Sequence, residues 1–183
     1  SIITKIVRND HLDKHIFDDE KNIWENANIN KYLNDEYKLK QNIHEEFTLK
    51  EANINSLDIS ISEIPLLDTE SKAKVTLLDV SDYLYASTCQ KTKSNEYDIA
   101  CLKNDWLNKN TPEWTMTTNY QAPYIDEETN EEITKENNTV YSVGNEITEI
   151  NISDELNIRP VVYLKSRTLL TNGDGTFDNP YVI

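Results

Sequence analysis

Leu156-Asn-Ile-Arg-Pro-Val-Val-Tyr-Leu-Lys-Ser166 places a run of four apolar and aromatic residues directly after an Arg-Pro pair. Val161 and Tyr163 lie on one face of an extended segment and Val162 and Leu164 on the other. A strand apolar on both faces belongs inside a sheet, not at its edge. Pro160 precedes it, where a missing N–H is tolerated. Asn172-Gly-Asp-Gly-Thr-Phe-Asp-Asn-Pro-Tyr-Val-Ile183 then supplies a tight turn around Asp174 and a second apolar segment. The expectation is an antiparallel core closed by these C-terminal strands.

Working outward, Ile2, Ile3, Ile6 and Val7 predict a strand over 2–8. Trp24, Ala27, Ile29, Tyr32, Leu33 and Tyr37 recur at spacings of three and four, which predicts an amphipathic helix, with Asp18 or Asp19 at its start. Leu57, Ile59 and Ile61 alternate with polar residues, as in a half-buried strand. Val75–Leu78 is a strand, followed by a short helix carrying Tyr83, Leu84 and Ala86. Glu113–Thr118 and Val140–Val143 are further strands. Gly144-Asn145 makes a hairpin turn into a return strand from Ile147 to Ile152. The class is therefore α+β, antiparallel sheets with one long and one short helix, in a single domain over 1–183.

Composition narrows the function. With 18 Lys and Arg against 33 Asp and Glu, the formal charge is −15. A chain without a basic cluster has no means of releasing counterions from nucleic acid, so that partner class is excluded. An anionic membrane surface is excluded on the same ground. No stretch approaches the roughly 18 apolar residues of a membrane-spanning helix, so no direct insertion is expected. The sequence opens mid-strand without a methionine, which points to a trimmed or mature piece with any anchor upstream. Ten tyrosines and three tryptophans compensate for a modest 37% of hydrophobic residues.

Five blocks in order resemble a domain of unknown function found in surface and prepilin-like proteins of low-GC Gram-positive bacteria. They are Ile6-Val-Arg-Asn-Asp10, Trp24 through Tyr37, Val75 through Ser87, the run Cys89…Cys101…Asn104-Asp-Trp-Leu…Glu113-Trp-Thr115, and the closing motif quoted above. That family is distantly similar to the formylglycine-generating-enzyme and C-type-lectin-like fold. The resemblance implies an extracellular, cell-surface address. It also implies structural roles for the segments that carry Trp24, Trp106 and Trp114 and for the Arg159-Pro160 strand. Each tryptophan sits in a patterned block and is expected in the core, and Arg159, directly before the central strand, is expected to be held by a carboxylate or by backbone carbonyls because an unpaired charge there would be costly.

Cys89 and Cys101 are the only cysteines, and on an exported domain the even count favours one disulfide. Metal and catalytic readings of the pair lack further ligands at a suitable spacing. His11 and His15, with Asp10 and Asp13, would suit zinc on a helix, but their stretch looks like a loop. No nucleophile elbow, phosphate loop or dinucleotide fingerprint occurs. Neither a metal nor another cofactor is expected, although calcium is an alternative for the acidic stretch. Residues 125–139 hold six acids and few apolar side chains, so they are expected to form an exposed, mobile loop. Tyr120 and Tyr124 beside it, with Asp126, Glu127 and Glu128, are the candidate ligand contacts.

The leading reading is a non-catalytic surface or pilus-associated module for adhesion or assembly. Its partner would be a protein or glycan ligand at the cell surface, or neighbouring pilus subunits. The alternatives are an enzyme or enzyme-derived binding domain of the formylglycine-generating type, and a calcium-dependent carbohydrate-binding module.

Overall fold

A computed structural model describes residues 4–40, 52–55, 70–86, 102–103, 105–118, 124–133, 138–164, 171–174 and 178–179. The architecture is α+β. Strand β1 (Thr4–Val7) is followed by a 3-10 turn (Trp24–Asn26), helix α1 (Asn28–Lys31), a π-helical stretch (Tyr32–Tyr37) and α2 (Lys38–Lys40). Then come β2 (Ala52–Asn55), β3 (Glu70–Ala73), β4 (Val75–Thr76) and α3 (Val80–Ala86). The remaining strands are β5 (Glu113–Thr118), β6 (Tyr124–Ile125), β7 (Glu132–Ile133), β8 (Thr139–Val143), β9 (Ile147–Asn151) and β10 (Val161–Leu164).

One three-stranded sheet has the order β1-β10-β4 and a second has the order β5-β8-β9, all pairs antiparallel. β2–β3 and β6–β7 form two-stranded ribbons. β10 thus lies between two neighbours, with Val161 opposite both Val7 and Thr76, as its two apolar faces require. Beyond β1, the chain continues antiparallel to 156–160 without regular strand geometry. Arg8 N donates to Pro160 O, Leu12 N to Ile158 O, and His15 N to Leu156 O at 2.9–3.0 Å.

The core has two parts. In the first, Phe17, Trp24, Ile29 and Leu33 meet Val75, Trp114, Val140 and Ile158. The second gathers Leu78, Val80, Tyr83, Leu102, Leu107, Val143 and Val161 between α3 and the sheets. β5 is buried on both faces, including Glu113, Thr115, Thr117 and Thr118. Thr115 and Thr117 are tolerated there because their hydroxyls are bonded: Thr115 Oγ1 donates to Tyr141 O at 2.6 Å, and Thr117 Oγ1 accepts from Val80 N at 3.1 Å.

The expected long helix is not one regular helix. Ala27 is extended (φ −59°, ψ 144°) and separates the Trp24 turn from α1, and the six residues that follow α1 widen to π pitch. The wide turn accompanies a hub built on Asn34. Its Oδ1 accepts from Lys74 N and Val75 N at 3.1 and 3.0 Å, and its Nδ2 donates to Val75 O at 2.9 Å. A side-chain amide thus takes the place of a neighbouring strand beside β4. Asp18 does brace the helical start, accepting from Lys21 N at 3.2 Å and from Asn28 N at 3.4 Å.

Several expectations fall outside the described residues: the strand over Leu57–Ile61, Cys89, Cys101, Tyr120, and the segment ending at Ile183. Among the described residues no helix is long and apolar enough to cross a membrane.

Candidate functional site

Two places in the fold concentrate polar chemistry or unusual exposure. The first is a buried ionic centre where β5, β10, α3 and the segment after β1 converge. Glu113 opens β5 and Arg159 lies just before β10; their side chains are 1% and 2% exposed. Arg159 donates through Nε to Glu113 Oε2 and through an Nη to Oε1, each at 2.6 Å, a two-pronged pairing that matches the planar guanidinium to the carboxylate. The same nitrogen reaches Leu107 O at 2.7 Å and the Tyr83 hydroxyl oxygen at 3.2 Å. Tyr83 in turn donates to Glu113 Oε1 at 2.5 Å.

His11 Nε2 stands 3.2 Å from Glu113 Oε2 and closes the cluster toward the surface. Burial and the Glu113 charge push the Tyr83 hydroxyl well above its ordinary range, so it stays protonated and donating. Burial opposes the charge of Arg159, but its bonds to Glu113 outweigh that and hold it above its usual value. These groups are spent on one another. The cluster pins four chain segments together, and Arg159 is anchored by a carboxylate and a backbone carbonyl at once.

The second place is the segment ahead of β5, residues 102–103 and 105–111. Leu102, Asp105, Leu107 and Asn108 are buried in it. Asp105 Oδ1 accepts from Leu107 N at 2.9 Å, a tight side-chain turn that carries residues 105 and 107 inward. Asn108 Nδ2 donates to Leu102 O and to Gly144 O, both at 2.9 Å, stitching the loop to the β8–β9 turn. Its Oδ1 accepts from Asn110 N at 2.9 Å, and Asn110 takes the left-handed conformation (φ 55°) that asparagine tolerates. Gly144 has no substitute there, since a Cβ would sit 2.9 Å from the backbone nitrogen of Pro112.

The residue this loop holds outward is Trp106, 70% exposed. That corrects the expectation that all three tryptophans lie in the core. Trp24 and Trp114 do, at 4% and 1%. The Asp105 turn gives the physical reason: it buries the residues on either side, and the indole between them has no inward path.

The other sequence candidates are placed as follows. Tyr124 begins β6 and Asp126 follows its end. The acidic stretch is a β6–β7 hairpin rather than an irregular loop over its described part. Asp126 makes the turn, with Oδ1 accepting from Thr129 N at 2.8 Å, Glu128 N at 2.9 Å and the Thr129 hydroxyl at 3.0 Å. Its bonds to Thr129, and then to Glu128, hold its carboxyl below the ordinary range. Glu127 and Glu128 are exposed at the tip. His11 and His15 do not share a site: His11 faces Glu113, while the His15 ring stacks on Tyr32 at 3.9 Å between centroids. Among the described residues no three His, Cys, Asp or Glu side chains are grouped to hold a metal ion.

His15 also makes stability depend on pH. Burial lowers its pKa from 6.5, against the opposing charges of Asp13, Glu155 and Glu36, and its Nε2 is buried without a hydrogen-bond partner. The folded state therefore resists protonation more than the unfolded chain. Stability is fully present above about 6.5 and is lost as pH falls toward the lowered folded value. His15→Phe keeps a ring against Tyr32 and removes the proton site. Urea midpoints at about pH 7 and pH 5 should differ less in this variant than in the wild type. An unchanged difference would show that His15 contributes nothing to acid sensitivity.

Asn34 and Asn108 were not visible as key residues in the sequence, because the chain is rich in asparagine and a side-chain amide that caps a distant backbone leaves no periodicity. No known family model, curated protein or solved structure matches the chain.

Proposed function

We propose that the chain is a non-catalytic extracellular module, the globular head of a surface or pilus-associated protein with a C-type-lectin-like arrangement, and that it works in adhesion or assembly. One observation carries the recognition part of this reading: a fixed loop with buried anchors on both sides holds Trp106 in water. Burying an aromatic side chain removes roughly 150–250 Å² from water, worth about 4–6 kcal/mol, and the fold forgoes most of that here. Tryptophan is also the residue type most often found at the energetic centre of an interface. The surface address rests on the five sequence blocks that resemble exported Gram-positive domains.

The test compares the labelled wild-type domain with Trp106→Ala on intact cells, using a panel of bacterial and animal cell surfaces. Trp106→Ala should melt within about 0.5 kcal/mol of the wild type, since the ring packs against little of the fold. It should bind at least about tenfold more weakly, the equivalent of one lost aromatic contact of ~1.4 kcal/mol. Equal binding by the two proteins would remove the reading.

A further inference from the structure

We infer that Asn172 is a site of spontaneous covalent modification, where the side-chain amide is lost through a cyclic imide and aspartate or isoaspartate takes its place. Two observations carry this. Asn172 is the only asparagine in the sequence that precedes a glycine. In the folded chain it is exposed, and Gly173 N donates to its Oδ1 at 2.8 Å. The Cγ carbon lies one bond beyond that oxygen, so the nitrogen that attacks it is held beside it, with water at hand.

The reaction needs only water. Gly173 N gives its proton to hydroxide and bonds to Asn172 Cγ, while the Cγ–Nδ2 bond breaks and Nδ2 leaves with a proton as ammonia. Water then opens the imide at Cγ, giving aspartate, or at the Asn172 main-chain carbonyl carbon, giving isoaspartate. Nothing is oxidised or reduced. Glycine suits the attacking position because no side chain shields its nitrogen, and the turn requires it, since Gly173 lies at φ 88° in the left-handed region. The residue that shapes the turn thus leaves the neighbouring amide open to attack. Asn34 and Asn108 are held differently: both ends of their side-chain amides are engaged by backbone groups, and Asp35 and Lys109 follow them. Either product adds a negative charge to a chain at −15. Isoaspartate also reroutes the main chain through a side-chain carbon, in a turn that Asp174 N closes on Asn179 O at 3.0 Å.

The test incubates the intact domain in mildly alkaline water enriched in heavy oxygen and maps its peptides by mass spectrometry. The peptide carrying Asn172 should show the mass change from amide to acid with one heavy oxygen gained, and should resolve into two products. Conversion there should outpace that of every other asparagine by at least about tenfold, and Gly173→Ala should slow it about tenfold. A parallel sample unfolded in guanidinium chloride separates the effect of the fold from that of the sequence.

Native conversion within about tenfold of the unfolded chain supports the inference; a larger deficit overturns it, because the turn would then protect Asn172. Conversion of other asparagines as fast as Asn172 overturns it too, as does an undiminished rate in folded Gly173→Ala. If that variant does not fold, the comparison of native with unfolded wild type still decides.

Discussion

Replacing Arg159 with leucine is expected to destabilise the domain by about 3–5 kcal/mol, because it leaves the Glu113 charge buried with only Tyr83 and His11 beside it. The reverse change, Glu113→Leu, should cost a similar amount for the mirror reason. Arg159 would then keep Leu107 O and the Tyr83 oxygen but no negative charge. The informative measurement is the double variant. Taking two charges out of water is expensive, and an apolar pair of similar volume escapes that cost, so Glu113→Leu with Arg159→Leu should be more stable than either single variant. Chemical denaturation of the four proteins closes the cycle. Additive losses would mean that the two residues act separately, contrary to their paired geometry.

The second large effect concerns Trp114. Its ring packs edge-on against Phe17 at 5.8 Å between centroids, and its Nε1 donates to His15 O at 2.8 Å. Trp114→Ala removes the packing, opens a cavity at the centre of the larger core cluster and frees a backbone acceptor. A loss of about 3–5 kcal/mol is expected from unfolding curves. Trp114→Phe should recover most of the packing but not the bond to His15 O, and so fall between the two. Near-wild-type stability of the alanine variant would show that this ring does not organise the core.

The contrast among the three tryptophans shows how far the sequence could be read. Trp24 sits in a run with helical spacing and Trp114 in an alternating strand, so periodicity places both inward. Trp106 has Leu107 beside it and no period of its own. Only the side-chain turn from Asp105 to Leu107 sets its direction, and such a turn is a property of rotamers that residue types leave open.

β5 is the reverse case. Glu-Trp-Thr-Met-Thr-Thr alternates as a strand with one wet face would, yet both faces are buried. The alternation is real, but its polar members find partners inside: Glu113 on Arg159, Thr115 on Tyr141, Thr117 on Val80. β10 was legible because Val161, Val162 and Leu164 put apolar side chains on both of its faces. Arg159 was legible because an arginine ahead of a core strand demands a counter-charge, although nothing in the sequence pointed to Glu113 as its source. The π-helical stretch was hidden because its apolar spacing still fits an ordinary helix, and the feature that distinguishes it is one amide reaching across to β4.

The central position of β10 has a bearing on how the chain reaches its fold. Among the described residues β1 and β4 are not partners of each other, and each pairs with β10. Two early segments must therefore stay unpaired until a segment far along the sequence arrives between them, and the Arg159 that enters with it also completes the ionic centre. Contacts of such long sequence separation make acquisition of structure slow, since loop closure has to precede the reward. While a polypeptide of this kind emerges from a ribosome, the β2–β3 ribbon can close early, but β1 and β4 have no central strand to join. Such a chain completes its β1-β10-β4 sheet, and the ionic centre with it, only when its late strand is free to insert.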